Sequence, residues 1–428
     1  MTAHESTAAK PSGCISCVIR IAIRNLLRYR RRTVLTTALI AVGVVAVLLF
    51  VALAGSFRAM MVGQITDSML GHFQVHRTGY LAAVDSLPLN LNLKPKMVER
   101  LNKELSTLAG VEAFSPRLKF GAMFSNFSET TNIRIVAIEP DREVAVAPLL
   151  PKRFVAGEPK DGLIARGEIL VPELLSRGLK LKVGDEVVLV ATNRDGSVNG
   201  MTFRVGGILE SVTGPGGRDG YLHIEDARAL LRMKEAEVSE IAVRVANPEQ
   251  AAMVASLLAA KLDGIKNQKG KAVFDVRSWE KLTPFYNIAR MIDLMTLFIQ
   301  IMLISIVLIS VMNVMMMAVY ERIREIGTIA AIGTQPRTIL GLFLSEGLLL
   351  GLVGATAGTS ISLIVIFVLN TVKVAFRFGR QDLLLAPTVG VGAVALTFAV
   401  VVVVAILASL QPAWKAARMD PNSALRHV

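Results

Sequence analysis

The sequence predicts an α-helical membrane protein with four transmembrane helices and an α+β extracytoplasmic domain that contains a β-rich insert. Three observations lead there. The 428 residues are 53% hydrophobic, with a mean hydropathy of +0.52, which is too apolar for a chain soluble throughout. The excess is concentrated in four charge-poor runs, each long enough to cross a hydrocarbon core of about 30 Å, which needs about 20 helical residues. Between the first and second runs lie about 230 residues with ordinary soluble-domain patterning.

Residues 1–32 form a basic N-terminal segment, and the first span covers 33–57. That run is too long for a cleavable signal and continues through Ala54, Gly55 and Ser56 into amphipathic sequence. The second span falls at 286–320, the third at 338–372 and the fourth, trimmed by Pro387 and Pro412, at 386–411. Residues 321–337 form a connecting helix, 373–385 a short external loop and 412–428 a tail. Arg20, Arg24, Arg28, Arg30, Arg31 and Arg32 precede the first span and place the N-terminus in the cytoplasm. An even number of spans returns the C-terminus to that side, in agreement with Lys415, Arg418 and Arg426 and with Arg322, Arg324 and Arg337 between spans two and three. Lys373, Arg377 and Arg380 are a mild exception.

The extracytoplasmic domain, 58–285, reads as two strand-helix-strand halves around an insert. The first half is strand His72 to Arg77, helix Lys94 to Leu108 and strand Val111 to Leu118; the second is strand Glu240 to Val245, helix Pro248 to Leu262 and strand Ala272 to Val276. The insert, about 120–234, consists of short alternating strands such as 185–190 and 202–209, with turn signals at 193–196 and 214–217. Cys14 and Cys17, the only cysteines, precede the first span, so the domain holds no disulfide. Without a second pair or nearby histidines they read as reduced thiols, and with no apolar stretch before Cys14 they carry no lipoprotein signal.

The net charge of +13 sits beside hydrophobic runs, which fits a membrane surface and sets nucleic acid aside. No Gly-x-x-x-x-Gly-Lys-Ser/Thr loop is present, so the chain is expected to bind no nucleotide cofactor and to hydrolyse no ATP on its own. Nor is there a catalytic constellation. His72 and His76 share a strand face, but two ligands make a weak metal site; surface imidazoles are expected, and no metal. Phe57, Met60, Met61, Met291, Met295, Phe298 and Met302 form an adaptable apolar lining for substrate or lipid if the first two spans face each other, and ordinary packing or lipid-facing surface if they do not. Gly347, Gly351, Gly354 and Gly358 permit close helix approach in span three. Glu346, at the edge of that span, is either an interfacial anchor or one half of a buried pair that transmits motion.

After span two, Ile323, Ile326, Ile329 and Ala330 share one helical face with charges opposite, the pattern of an interfacial linker or of a handle for a cytoplasmic partner. The stretch ERIREIGTIAAIGTQPRTILGLF (321–343), the following SEGLLLG (345–351) and the tail PAWKAARMDP (412–421) with Ala424, Leu425 and Arg426 closely resemble FtsX-like permeases. That superfamily includes macrolide-exporter, cell-division and lipoprotein-releasing permeases. The motif from Gly71 to His76 with Gly79 and Tyr80, and the run Gly178 to Asp185, look most like the lipoprotein-releasing branch.

The resemblance implies a multi-pass protein of the bacterial inner membrane that pairs with a second permease copy or a sibling. It further implies a separate cytoplasmic ABC ATPase, which binds the ATP and Mg, and a periplasmic adaptor or lipoprotein carrier beside membrane lipids. By carry-over, Arg322, Arg324, Glu325, Ile326, Gly327 and Gly333 of the coupling helix meet the ATPase. The function so implied is extraction or export of a lipophilic or lipidated substrate. A regulatory scaffold resembling the cell-division permeases, controlling an external peptidoglycan hydrolase, is the alternative.

Overall fold

The computed structural model describes residues 15–159, 162–211, 218–266, 270–372, 375–378, 381–384 and 387–419. The turn at 214–217, Cys14, Lys373, Arg380 and the tail from 420, Arg426 included, lie outside them. The chain divides into two compact units, one of residues 1–59 with 291–428 and one of residues 60–290.

The helical unit begins with α1 (Ile15–Arg28) and α2 (Arg30–Ile65), whose last residues belong to the other unit. The α+β unit contains β1 (Phe73–Arg77), α3 (Pro95–Thr107), β2 (Val111–Ser125), β3 (Thr130–Ile138), α4 (Pro140–Val146), β4 (Phe154–Ala156) and β5 (Glu168–Pro172). It continues with α5 (Glu173–Leu179), β6 (Glu186–Thr192), β7 (Val198–Leu209), β8 (Gly220–His223) and α6 (Ile224–Leu230). It ends with β9 (Glu240–Val245), α7 (Ala251–Leu262), β10 (Phe274–Ser278) and α8 (Trp279–Leu282). The remaining helices are α9 (Phe285–Glu321), α10 (Ile323–Ala331), α11 (Pro336–Val372) and α12 (Val391–Ala417), with the hairpin β11 (Ala375–Phe378) and β12 (Gln381–Leu384) between the last two.

In the α+β unit the two halves interleave: the strands lie in the order β10-β1-β9-β2, antiparallel throughout. This is the split β-α-β arrangement, in which each helix crosses back over one face. That face buries Phe73, Val75, Ile241 and Val243 under Leu101 and Leu105 of α3 and Val254 and Leu258 of α7.

The insert grows directly out of this sheet. β2 runs unbroken from the sheet into the insert, where β2, β3, β8, β5, β7 and β6 pair in a closed ring back to β2. Alternation along β2 places Leu118, Phe120, Ala122 and Phe124 in the core with Val187 and Leu189 of β6 and Phe203 and Val205 of β7. Closure removes exposed strand edges, and side chains fill so small a barrel.

Among the described residues, four helices are long and apolar enough to cross a membrane: Arg30–Leu70, Phe285–Glu321, Pro336–Val372 and Val391–Ala417. Within the helical unit α11 packs closely on two neighbours through its glycines. A Cβ on Gly347 would stand 2.4 Å from Ser409 Oγ, and one on Gly351 2.8 Å from Ala405 Cβ, both on α12. One on Gly354 would stand 2.6 Å from Ile40 and one on Gly358 2.6 Å from Val44, both on α2. Ile40, Val44, Val307, Val311, Phe343 and Leu350 form the centre of this bundle.

Candidate coupling site

The α9–α10 junction is made by one residue. Arg322 leaves helical geometry (φ −109°, ψ 16°), ending α9 and starting the short α10, whose C-terminus is closed by Gly333 at φ +96°. Gly333 N–H donates to Ala330 O at 3.0 Å, and Pro336 then opens α11 at a position that needs no donor.

Turned inward at this break, the Arg322 side chain is only 4% exposed, and its Nη1 donates to Glu346 Oε1 of α11 at 2.9 Å. Glu346 is fully buried, and the same oxygen accepts from Asn25 Nδ2 of α1 at 2.9 Å. The Arg322 guanidinium lies 4.3 Å from the centre of the Tyr29 ring, a cation–π contact. Three chain segments, one of them about 300 positions from the others, therefore meet at one charge pair. Around it, Arg32 pairs with Glu321 at 3.3 Å, while Glu325 is approached by Arg28 at 3.8 Å and by the Tyr29 hydroxyl at 3.4 Å.

A buried pair of this kind holds a position more than it adds net stability, because desolvation offsets much of the attraction. Arg322 Nε and Nη2 and Glu346 Oε2 have no hydrogen-bond partner among the described residues. The result is a polar knot that fixes α10 to α1 and α11.

Of the six residues assigned to the ATPase contact, Arg324, Glu325 and Gly333 lie on the exposed side of the segment. Arg322 faces the bundle, as do Ile326 and Gly327, both buried. The inward stripe of α10 is narrower than its apolar periodicity, for Ile329 is 41% exposed. For Glu346 the two readings are resolved: it forms the buried pair. Asn25 and Tyr29 were not legible as site residues, since a lone Asn in an amphipathic helix carries no local signal of a partner more than 300 positions away.

At the other end of the same helices Arg58 and Asp293 pair at 2.8 Å, setting α2 beside α9. Phe57, Met291, Met295, Phe298 and Met302 are all exposed on the helical unit, whereas Met60 and Met61 belong to the α+β unit and are half-buried.

The α+β unit holds a second charge cluster, on the sheet face opposite α3 and α7. Arg117 is buried, with Nη2 donating to Glu143 Oε1 at 2.6 Å and Nη1 standing 3.3 Å from Glu240 Oε1. Glu240 also meets Lys119 Nζ at 2.7 Å and His76 Nε2 at 3.2 Å. Burial alone would push the Glu240 carboxyl up, but Lys119, His76 and Arg117 hold it well below the ordinary range. A cavity of about 110 Å³ opens beside this cluster.

His72 and His76 are not surface imidazoles: both are buried, because β1 is an inner strand covered on both faces. His72 Nδ1 accepts from Val245 N–H at 3.0 Å while its Nε2 stands 3.4 Å from Asp67, and His76 stacks on Tyr80.

Residues 33–261 match the MacB-like periplasmic core domain, and residues 297–421 match the FtsX-like permease C-terminal domain. The chain is 24% identical over 414 residues to the lipoprotein-releasing system transmembrane protein LolC of Neisseria meningitidis serogroup B, covering 92% of this chain and 94% of that protein. It is 26% identical over 424 residues to the macrolide export ATP-binding/permease protein MacB 2 of Aeromonas hydrophila, covering 95% of this chain and 60% of that protein. It is 41% identical over 116 residues to the pyoverdine export ATP-binding/permease protein PvdT of Pseudomonas fluorescens, covering 27% of this chain and 16% of that protein. With more than half of its residues in the core-domain match and its last two spans and most of the second in the other, the chain belongs to the FtsX-like ABC transporter permeases that carry a MacB-like periplasmic core domain.

Proposed function

We propose that this chain is the force-transmitting permease subunit of an ABC system, moving a lipophilic or lipidated substrate such as a lipoprotein with energy from a separate cytoplasmic ATPase. The observation that carries the reading is the Arg322–Glu346 knot, which ties the exposed α10 to α1 and α11 by buried polar contacts. A plain interfacial linker needs no such attachment, whereas a lever does. In this reading the N-terminus, α10 and the C-terminus are cytoplasmic, as the arginine-rich flanks favour. The α+β unit stands outside, and a second permease, identical or sibling, completes the assembly. The lipoprotein class is favoured by the match to LolC along nearly the full length of both chains.

The test is reconstitution in nanodiscs with the ATPase subunit that co-purifies with the tagged chain. ATP turnover is expected only with both proteins, and transfer of a triacylated lipoprotein to an acceptor only with ATP. Turnover by this chain alone would refute the division of labour. Coupled turnover without release of any lipidated protein would refute the substrate class.

A further inference from the structure

α1 carries two parallel stripes that no other described residue of the helical unit covers. Ile19, Ile23 and Leu27, four residues apart, are all exposed, and so are Arg20, Arg24 and Arg28 on the neighbouring row. The remaining side of the helix is the attached one: Ala22 is fully buried, Leu26 packs on the bundle core and Asn25 reaches Glu346. Arg30 and Arg31 prolong the basic row, making six arginines, Arg32 included, within residues 20–32.

These charges are poorly neutralised by the protein. Arg20, Arg24 and Arg31 have no ion-pair partner among the described residues, and Arg28, 71% exposed, only approaches Glu325 at 3.8 Å. A row of mutually repelling cations on one helix calls for external anions. An acidic protein could supply them but would leave the aliphatic stripe in water. A bilayer surface satisfies both rows, taking Ile19, Ile23 and Leu27 into the acyl boundary and setting the guanidiniums against phosphates.

We propose that α1 is a binding surface for anionic phospholipid headgroups of the leaflet it lies in, held by Arg20, Arg24 and Arg28. Because Asn25 and Tyr29 on the same segment contact Glu346 and Arg322, a lipid-anchored α1 is the fixed platform on which the coupling knot is mounted. The inference rests on the membrane location of the chain and not on what it transports.

The test uses the full chain in nanodiscs of phosphatidylcholine containing a trace of spin-labelled phosphatidylglycerol or spin-labelled phosphatidylcholine. The motionally restricted fraction of each label is then compared. The wild type is expected to prefer phosphatidylglycerol, by about fivefold for each arginine seated on a headgroup. The preference should shrink in 0.5 M salt, a measurement that needs no variant. Arg20→Gln, Arg24→Gln and Arg28→Gln together should cut it at least about fivefold, while Arg30, Arg31 and Arg32 preserve insertion. Equal restriction of the two lipids in the wild type overturns the proposal. So does an unchanged preference in the triple variant, and so does loss of a bound protein partner from that variant while its lipid preference persists.

Discussion

Arg322 of the α9–α10 break and Glu346 of α11 form a buried pair at 2.9 Å, and Asn25 of α1 shares the same carboxylate oxygen. The three positions lie on α1, the α9–α10 break and α11, so this single oxygen is where those segments meet. Deleting either charge leaves the other buried and unmatched.

Glu346→Gln or Arg322→Gln is therefore expected to cost about 3–5 kcal/mol, the range for breaking a buried pair. Replacing both by apolar residues, Arg322→Met with Glu346→Leu, should cost much less. Thermal unfolding of the detergent-solubilised chain reads the difference as a double-mutant cycle. Losses in Arg322→Met and Glu346→Leu that simply add up in the double variant would mean the pair is not coupled.

Glu325 behaves differently, because it is 48% exposed and its contact with Arg28 is solvent-screened, worth well under about 1 kcal/mol. Glu325→Lys should leave membrane abundance and melting temperature unchanged. If the ATPase presents a partly desolvated cation there, the reversal should cost on the order of 2–5 kcal/mol of association. Pull-down of the ATPase by the tagged variant checks this; full retention would reduce α10 to a linker.

Gly354 faces Ile40 across α2 and α11 with no room for a side chain. Gly354→Val should destabilise the bundle by about 1–3 kcal/mol through overpacking. Gly341→Ala, with nothing within 4 Å of the added carbon, should be neutral in the same melting experiment.

Glu240 gives the α+β unit an acid limit. Its carboxyl is held below its ordinary value near 4.5, so the folded state binds fewer acid-range protons than the unfolded state. The stabilisation is complete above about pH 4.5 and drains away as pH falls towards the folded value. Hydrogen exchange of β1 and β9 in the full chain should accelerate below that pH. In Glu240→Gln it should already be fast at neutral pH, with a smaller acid dependence.

Orientation is tested with single cysteines in a variant lacking Cys14 and Cys17. Asp195→Cys, on an exposed turn of the barrel, should react with an impermeant thiol reagent in intact spheroplasts, and Gln335→Cys, in the α10–α11 turn, should not. Asp219 is a poor probe, being buried against Arg134. The reverse labelling pattern would invert the proposed topology.

The spans and the two strand-helix-strand halves were legible in the sequence, because apolar run length and hydrophobic period are local properties that any window reveals. The motifs of 321–351 likewise pointed to the FtsX-like family, which the match over residues 297–421 shows. Tertiary structure alone decided which polar residues turn inward. Arg322 and Arg324 look alike in sequence, yet only Arg322 occupies the helix break and finds Glu346 and Tyr29 beside it. His72 and His76 read as surface imidazoles in the sequence, but the fold buries both. The strands of the insert were readable, but not their closure into a ring, which depends on β2 pairing with β3 on one side and β6 on the other. In each case the deciding energy is the burial or pairing of a polar group by residues distant in sequence, and that quantity exists only once the chain has folded.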